Sequence, residues 1–211
     1  MVSVNLRSSR TEKLQRLFGL AATQAGYFTA AQARGLGYSA RSLQHHVAAG
    51  HFERLSRGFY RLVGVPGEPH EDIVAAWLRF APRRAVVSHD TALALYDLAP
   101  SRSHEIHLTL PREHRPRNPQ SATGVKLHTT IVPLRRHEVA NRFGVEITSA
   151  ARTIADVADI GVDPSVVIEA TGRALATGLV VPNELRTAVK RRSARVRRLV
   201  ERAIQEAGGH A

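Results

Sequence analysis

The 211-residue sequence contains no cysteine, which excludes a disulfide framework and any thiolate metal site. No apolar run approaches a membrane span, and the N-terminus lacks the apolar core of a signal peptide. The expectation is a soluble cytoplasmic protein with no membrane partner. There is no P-loop, no GxGxxG and no HRD or DFG, so a standard kinase or ATPase is not supported. There is also no HExxH or comparable zinc spacing among the eleven histidines. His45 and His46 are adjacent on a helix and diverge, and His104 and His107 fall on opposite faces of a strand. No metal site is expected. Ser88-His89-Asp90 carries triad residue types, but consecutive residues do not aim at one point and no GxSxG surrounds them. Ser88 reads instead as a helix N-cap.

What is abundant is positive charge. The formal net charge is +12, and it is unevenly spread. Residues 1–62 carry nine Lys/Arg against two acids, residues 63–182 thirteen of each, and residues 183–211 eight against three. A neutral middle between two basic ends predicts separate tasks, with a polyanion such as nucleic acid as partner for the ends. The hydrophobic content of 43% suffices for one large domain or two small ones.

Residues 1–10 read as a loose basic arm. Ser9 and Glu12 have capping-box spacing, and Leu14, Leu17, Phe18, Ala21 and Ala25 follow at helical spacing up to Gly26. Thr29 and Gln32 cap a second, short helix, and Ser39 caps a third that Gly50 ends. A basic hairpin turning at Gly58 comes next. Three helices and a hairpin are the order of a winged helix-turn-helix. In the third helix Ala40, Leu43 and Val47 share the inner face, leaving Arg41, Ser42, Gln44 and His45 outside. Arg bonds guanine bidentately and Gln pairs with adenine. The hairpin adds Arg54, Arg57 and Arg61 for phosphate or minor-groove contact, with Phe52, Leu55, Tyr60 and Leu62 packing it down.

The Pro/Gly-rich stretch "VGVPGEPHE" (63–71) marks a domain boundary, giving a DNA-binding domain over 1–62 and a second domain over 63–211. In the latter, 63–160 mixes helix and strand and 161–211 is helical and basic at its end. A helix with Ile73, Ala76, Trp77 and Phe80 on one stripe ends at Pro82. A buried step "AVV" precedes a helix from Ser88 to about Leu98. "HEIHLTLP" (104–111) alternates like a half-buried strand, and "PREHRPRNP" (111–119) reads as a basic loop. Short strands are predicted around 125–128 and 145–148. Ser149 caps a helix with Ile154, Val157 and Ala158 inward, on which Arg152 and Asp156 sit four apart as an ion pair. Asp163-Pro164 opens a helix burying Val167, Ile168, Thr171, Ala174 and Leu175. From Pro182 a last helical region places Lys190, Arg191, Arg192, Arg195 and Arg198 around an apolar stripe, available to phosphate or to an acidic partner.

The stretches "YFTAAQARGLGYSARSLQHHVAAGHFERLSRGFYRL", "VVSHDTALALYDL", "HEIHLTLP" and "GVEITSAARTIADVAD" together resemble the AbiEi-type antitoxins of type IV toxin–antitoxin systems. The resemblance covers most of residues 10–160. It implies an α+β chain: an N-terminal winged helix-turn-helix, then a mixed α/β antitoxin domain with a helical C-terminus. It implies repression of the protein's own promoter at inverted repeats in double-stranded DNA, with two copies on the DNA. It also implies neutralisation of a neighbouring nucleotidyltransferase-like toxin, for which a stable complex is typically not required. It maps DNA contact onto Arg41, Ser42, Gln44, His45, Arg54 and Arg57. On Ser88, His89, Thr91, Thr148, Arg152, Thr153 and Asp156 it implies a preserved fold element. No cofactor is expected. ATP enters only under the alternative that the protein modifies the toxin covalently, for example by Ser/Thr phosphorylation, and no catalytic residue is assigned for that. A plain winged-helix regulator is the remaining alternative.

Overall fold

The computed structural model of the chain describes residues 3–118 and 123–209. It consists of two compact units, residues 1–82 and 83–211. The division therefore falls after the helix at 71–80 and not in the Pro/Gly-rich link.

The N-terminal unit runs α1 (Ser3–Ala22), β1 (Tyr27–Thr29), α2 (Ala30–Gly35), α3 (Ala40–Ala48), β2 (Phe52–Ser56), β3 (Phe59–Leu62) and α4 (Glu71–Phe80). Helix α1 begins at Ser3, so most of the expected loose arm is helical; residues 1–2 of that arm lie outside the described residues. No Pro or Gly occurs between residues 3 and 18 to stop the helix, and it runs straight through Ser9. Thr29 and Gln32 form the expected capping box at α2. Ser39 caps α3, its Oγ accepting from the Ser42 N–H at 3.0 Å.

The strands form an antiparallel sheet in the order β1-β3-β2, completing a winged helix. Its core is Leu17, Ala21, Phe28, Ala33, Tyr38, Leu43, Phe52, Tyr60 and Leu62. Phe28 stacks on Tyr60 and meets Phe52 edge-on at 5.1 Å. Helix α4 buries Val74, Ala76, Leu78 and Phe80, whereas Ile73 and Trp77 are half-buried. The apolar stripe is thus rotated from the predicted one. Glu71 at its start accepts from Arg61 on β3 at 3.1 Å.

The C-terminal unit runs β4 (Val86–Val87), α5 (His89–Leu95), β5 (Ile106–Pro111), β6 (Val125–Thr130), β7 (Val139–Arg142), β8 (Val145–Thr148), α6 (Ala150–Asp159), α7 (Pro164–Ala176), α8 (Pro182–Val189) and α9 (Ala194–Gly208). Its five-stranded mixed sheet has the order β6-β5-β4-β8-β7. Strands β4 and β8 are parallel, as are β5 and β6, while β4–β5 and β7–β8 are antiparallel.

Strand β5 was expected to be half-buried. It lies between β4 and β6, and His107 through Pro111 are all buried, because both of its faces are covered. Helix α5 stops at Leu95, three residues early. Asp97 takes a left-handed φ of 58° there, and the Leu98 N–H closes back on the Leu93 carbonyl at 3.0 Å. Pro111 ends β5 and residues 112–114 form a 3-10 turn; residue 119 of the expected basic loop lies outside the described residues. The last helical region is two helices, because Ser193 caps α9 by accepting from the Val196 N–H. The core of this unit is aliphatic and lies among α5–α9, centred on Ile154, Ala155, Val167, Ala174, Leu185, Val196 and Val200. On α7, Ala170 is buried where Ile168 and Leu175 are half-buried.

Candidate functional site

In the N-terminal unit, helix α3 exposes Arg41, Gln44 and His45, with Ser42 half-buried beside them. The inner face is Leu43 and His46, with Val47 half-buried; Ala40, expected inside, is exposed. His46 replaces it because its ring stacks on Phe52 at 4.6 Å and its Nδ1 meets His51 Nδ1 at 3.3 Å. The wing is the β2–β3 hairpin. Arg54 and Arg57 are exposed, and Gly58 holds a φ of +77° at the tip. The Gly58 carbonyl accepts from the Ala30 N–H at 2.8 Å, fastening the tip to the start of α2.

Two wing residues depart from expectation. Leu55 is 42% exposed because its strand has only one partner and no core behind that position. Arg61 is not a free cation. It bonds Glu71 and the Val65 carbonyl, and its guanidinium lies 5.3 Å from the Tyr27 ring centroid. It therefore leaves the candidate DNA face, which consists of Arg41, Ser42, Gln44, His45, Arg54 and Arg57.

In the C-terminal unit, polar side chains are buried around the β4–α5 turn. Ser88 is fully buried and occupies the N-cap position of α5, but its hydroxyl caps nothing. It accepts from Thr109 Oγ1 at 2.8 Å and lies 2.9 Å from His89 Nδ1. His89 holds a left-handed φ of 52°, a strained setting for a non-glycine residue. Its ring stacks on His128 at 3.6 Å, with His107 at 6.0 Å. Burial first, then the neighbouring imidazoles, push His89 down to about 2 and His128 down to about 4. Burial also lowers His107. The three rings are therefore neutral near pH 7. Among the described residues no group of His, Asp and Glu is arranged to hold a metal ion.

The same region contains a carboxylate–guanidinium network. Arg152 Nε donates to both Asp156 oxygens at 2.9 Å, and its Nη1 donates to Glu138 at 2.7 Å. Arg192 adds bonds to Asp156 and, at 2.7 Å, to Asp159. Burial raises the Asp156 carboxyl, opposed by the two guanidinium groups. Burial lowers Arg152, but Asp156 and Glu138 outweigh it and hold the guanidinium charged. Thr148 and Thr153 pair their hydroxyls at 2.7 Å, and Thr91 Oγ1 accepts from the His107 N–H at 2.9 Å. Asp90 is held by Arg102 at 2.5 Å. A cleft of about 210 Å³ opens here, lined by His89, Thr109, His128, Thr129, Thr130, Arg152, Asp156, Asp159, Ile160 and Arg192.

Residues 15–63 match the family described as "Transcriptional regulator, AbiEi antitoxin". The matched segment lies in the N-terminal unit, from within α1 to just past β3. The chain is also similar in fold to the crystal structure of RV2827C protein from Mycobacterium tuberculosis, with a TM-score of 0.59 and 14% identity over 91% of this chain and 75% of that one. No curated protein matches the sequence. Among the described residues no helix is long and apolar enough to cross a membrane.

Every exposed residue of the candidate DNA face falls inside the matched segment. The residues mapped outside it divide differently. Ser88, His89, Arg152 and Asp156 belong to the polar centre, with His89, Arg152 and Asp156 lining its cleft. Thr91, Thr148 and Thr153 brace the backbone behind it. Of the C-terminal cations, Lys190, Arg191 and Arg198 are exposed. Arg192 is engaged by Asp156 and Asp159, whereas Arg195 is exposed and donates one bond to the Asp159 carbonyl at 3.0 Å. His107, Thr109, His128 and Glu138 were not singled out as site residues. The alternation in "HEIHLTLP" set His107 and Thr109 on one face, but nothing in the sequence marked that face as buried or placed His128 and Glu138 against it.

Proposed function

We propose that the protein is the antitoxin of a toxin–antitoxin pair. Its N-terminal unit represses its own operon, and its C-terminal unit neutralises a nucleotidyltransferase-like toxin encoded beside it. The observation that carries the reading is the AbiEi match over residues 15–63 coinciding with a free basic face. On that face α3 offers Arg41, Gln44 and His45, and the wing offers Arg54 and Arg57. Base reading falls to α3 and backbone contact to the wing, with two copies on an inverted repeat.

The test is binding of the full chain to its own promoter and to random DNA across a range of salt. Equal affinity for both ends the repressor reading. Co-expression with the adjacent reading frame tests the antitoxin half; toxicity unrelieved by this chain ends that reading.

The polar centre supports a second reading, in which neutralisation is covalent. A cleft beside neutral His89, buried Ser88 and charged Arg152 is an environment for group transfer. The transfer would form a bond from a toxin hydroxyl oxygen to the terminal phosphorus of ATP and break that phosphorus's bond to ADP, with the hydroxyl proton released to solvent. Mass spectrometry of toxin co-expressed with this protein decides it: an unchanged toxin mass eliminates the reaction.

A further inference from the structure

The C-terminal unit has a second, larger groove of about 680 Å³ between the segment following β6, the start of α6, and α8 with the loops that flank it. Its charge is unbalanced. Two carboxylates line it, and both are already engaged. Glu138 accepts from Arg152 Nη1 and from the Arg135 N–H, and Glu184 accepts from the Val181 N–H at 3.0 Å. The cations Arg135, Lys190 and Arg191 line it too, are exposed, and make no ion pair with any described residue. Arg135, Lys190 and Arg191 outnumber the Glu184 carboxylate, which only an amide N–H holds, so the exposed wall of this groove is net positive.

The groove also has an apolar lip. Val132 is 60% exposed and its neighbour Ile131 77%, although both follow a strand of a packed sheet. Leu179 and Val181 are exposed on the opposite side, flanking buried Val180. Exposed aliphatic side chains on both sides of a basic groove fit a ligand that is anionic and apolar at once. A nucleic acid fits less well, since among the described residues no Phe, Tyr or Trp lines the groove to stack on a base.

We propose that this groove docks an acidic peptide segment of a partner protein, one carrying aliphatic side chains among its carboxylates. Lys190, Arg191 and Arg135 receive the carboxylates, and Val132 and Leu179 receive the aliphatic groups. The inference goes beyond the reading given above and is independent of DNA binding by the N-terminal unit.

The test uses the full chain and a fluorescein-labelled peptide rich in Glu and containing two leucines, followed by anisotropy at low salt. A Glu-only peptide and a single-stranded oligoadenylate of equal charge serve as comparisons. The leucine-containing peptide is expected to bind more tightly than either. The exposed double substitution Lys190→Glu/Arg191→Glu should weaken it by about tenfold or more, and added salt should weaken it further. Val132→Asp, which leaves those cations in place, should weaken it as well. Thermal melting confirms that both variants fold. Peptide binding indifferent to both substitutions overturns the proposal, as does no binding at millimolar peptide. Tighter oligoadenylate binding that Lys190→Glu/Arg191→Glu abolishes also overturns it, and assigns the groove to nucleic acid.

Discussion

Arg192 reaches back 36 positions along the chain to bond Asp156, joining the turn before α9 to the middle of α6. Asp156 is 5% exposed at its side chain and is shared with Arg152. Removing the carboxylate leaves two guanidinium groups short of a partner in a largely buried setting. Asp156→Ala is therefore expected to destabilise the C-terminal unit by about 3–5 kcal/mol. Arg192→Ala should cost less, because Asp156 keeps Arg152 and the Arg192 side chain is 22% exposed. Calorimetry and hydrogen exchange along α6 measure both, and a double-mutant cycle should show coupling above about 1 kcal/mol.

Arg57 and Arg61 lie four residues apart on one hairpin and should behave differently. Arg57 is exposed, whereas Arg61 is bonded to Glu71. Arg57→Ala is expected to reduce the salt slope of promoter binding by about one and leave melting unchanged. Arg61→Ala is expected to lower the melting temperature of the N-terminal unit and leave the salt slope intact. If Arg61→Ala alters the slope as Arg57→Ala does, the assignment of Arg61 to a structural role is wrong.

Acid should weaken the C-terminal unit before ordinary carboxylates titrate. His89 and His128 are held neutral by burial, at about 2 and about 4, whereas the unfolded chain protonates its histidines near the ordinary imidazole value of 6.5. Below pH 6.5 the unfolded state binds more protons, so stability falls as pH falls. His128 continues to contribute until pH reaches about 4. Each histidine kept neutral steepens the loss by roughly 1.4 kcal/mol per pH unit. His128→Gln should flatten the profile between pH 6.5 and 4.5, measured by denaturant unfolding. An unchanged slope would show that these rings take up protons in the fold.

Gly58 should resist substitution. Its φ of +77° sits at the wing tip, and a Cβ there would meet Ala30 Cβ at an ordinary 3.8 Å. Space is therefore not the obstacle; backbone conformation is. Gly58→Ala is expected to cost about 1 kcal/mol and to loosen the bond from the Ala30 N–H, seen as faster hydrogen exchange at that amide.

Local signals carried the secondary structure a long way. The Thr29–Gln32 box, the Ser39 and Ser149 caps and the Asp163-Pro164 start all stand where their spacing placed them. Each is a contact between residues two or three apart, so short-range chemistry suffices to encode it. Ser88 has the same cap signature and does something else, because Thr109, 21 residues away, claims its hydroxyl. The Arg152–Asp156 pair was legible from helical spacing; Glu138 and Arg192, which complete it, were not.

The sequence by itself determined the basic N-terminal module, the order of its helices and wing, and the outward residues Arg41, Gln44 and His45 on α3. Periodicity and capping are properties of neighbouring residues, and they survive without knowledge of the fold. Only the tertiary structure decided which cations are free. Arg61 and Arg192 carry the same charge as Arg57 and Arg191 nearby in the chain, yet the first two meet carboxylates on other segments. Burial of the histidine cluster was likewise decided in three dimensions. It required β5 and β6 to pair and α5 to lie beside them, so that desolvation acted on three rings at once.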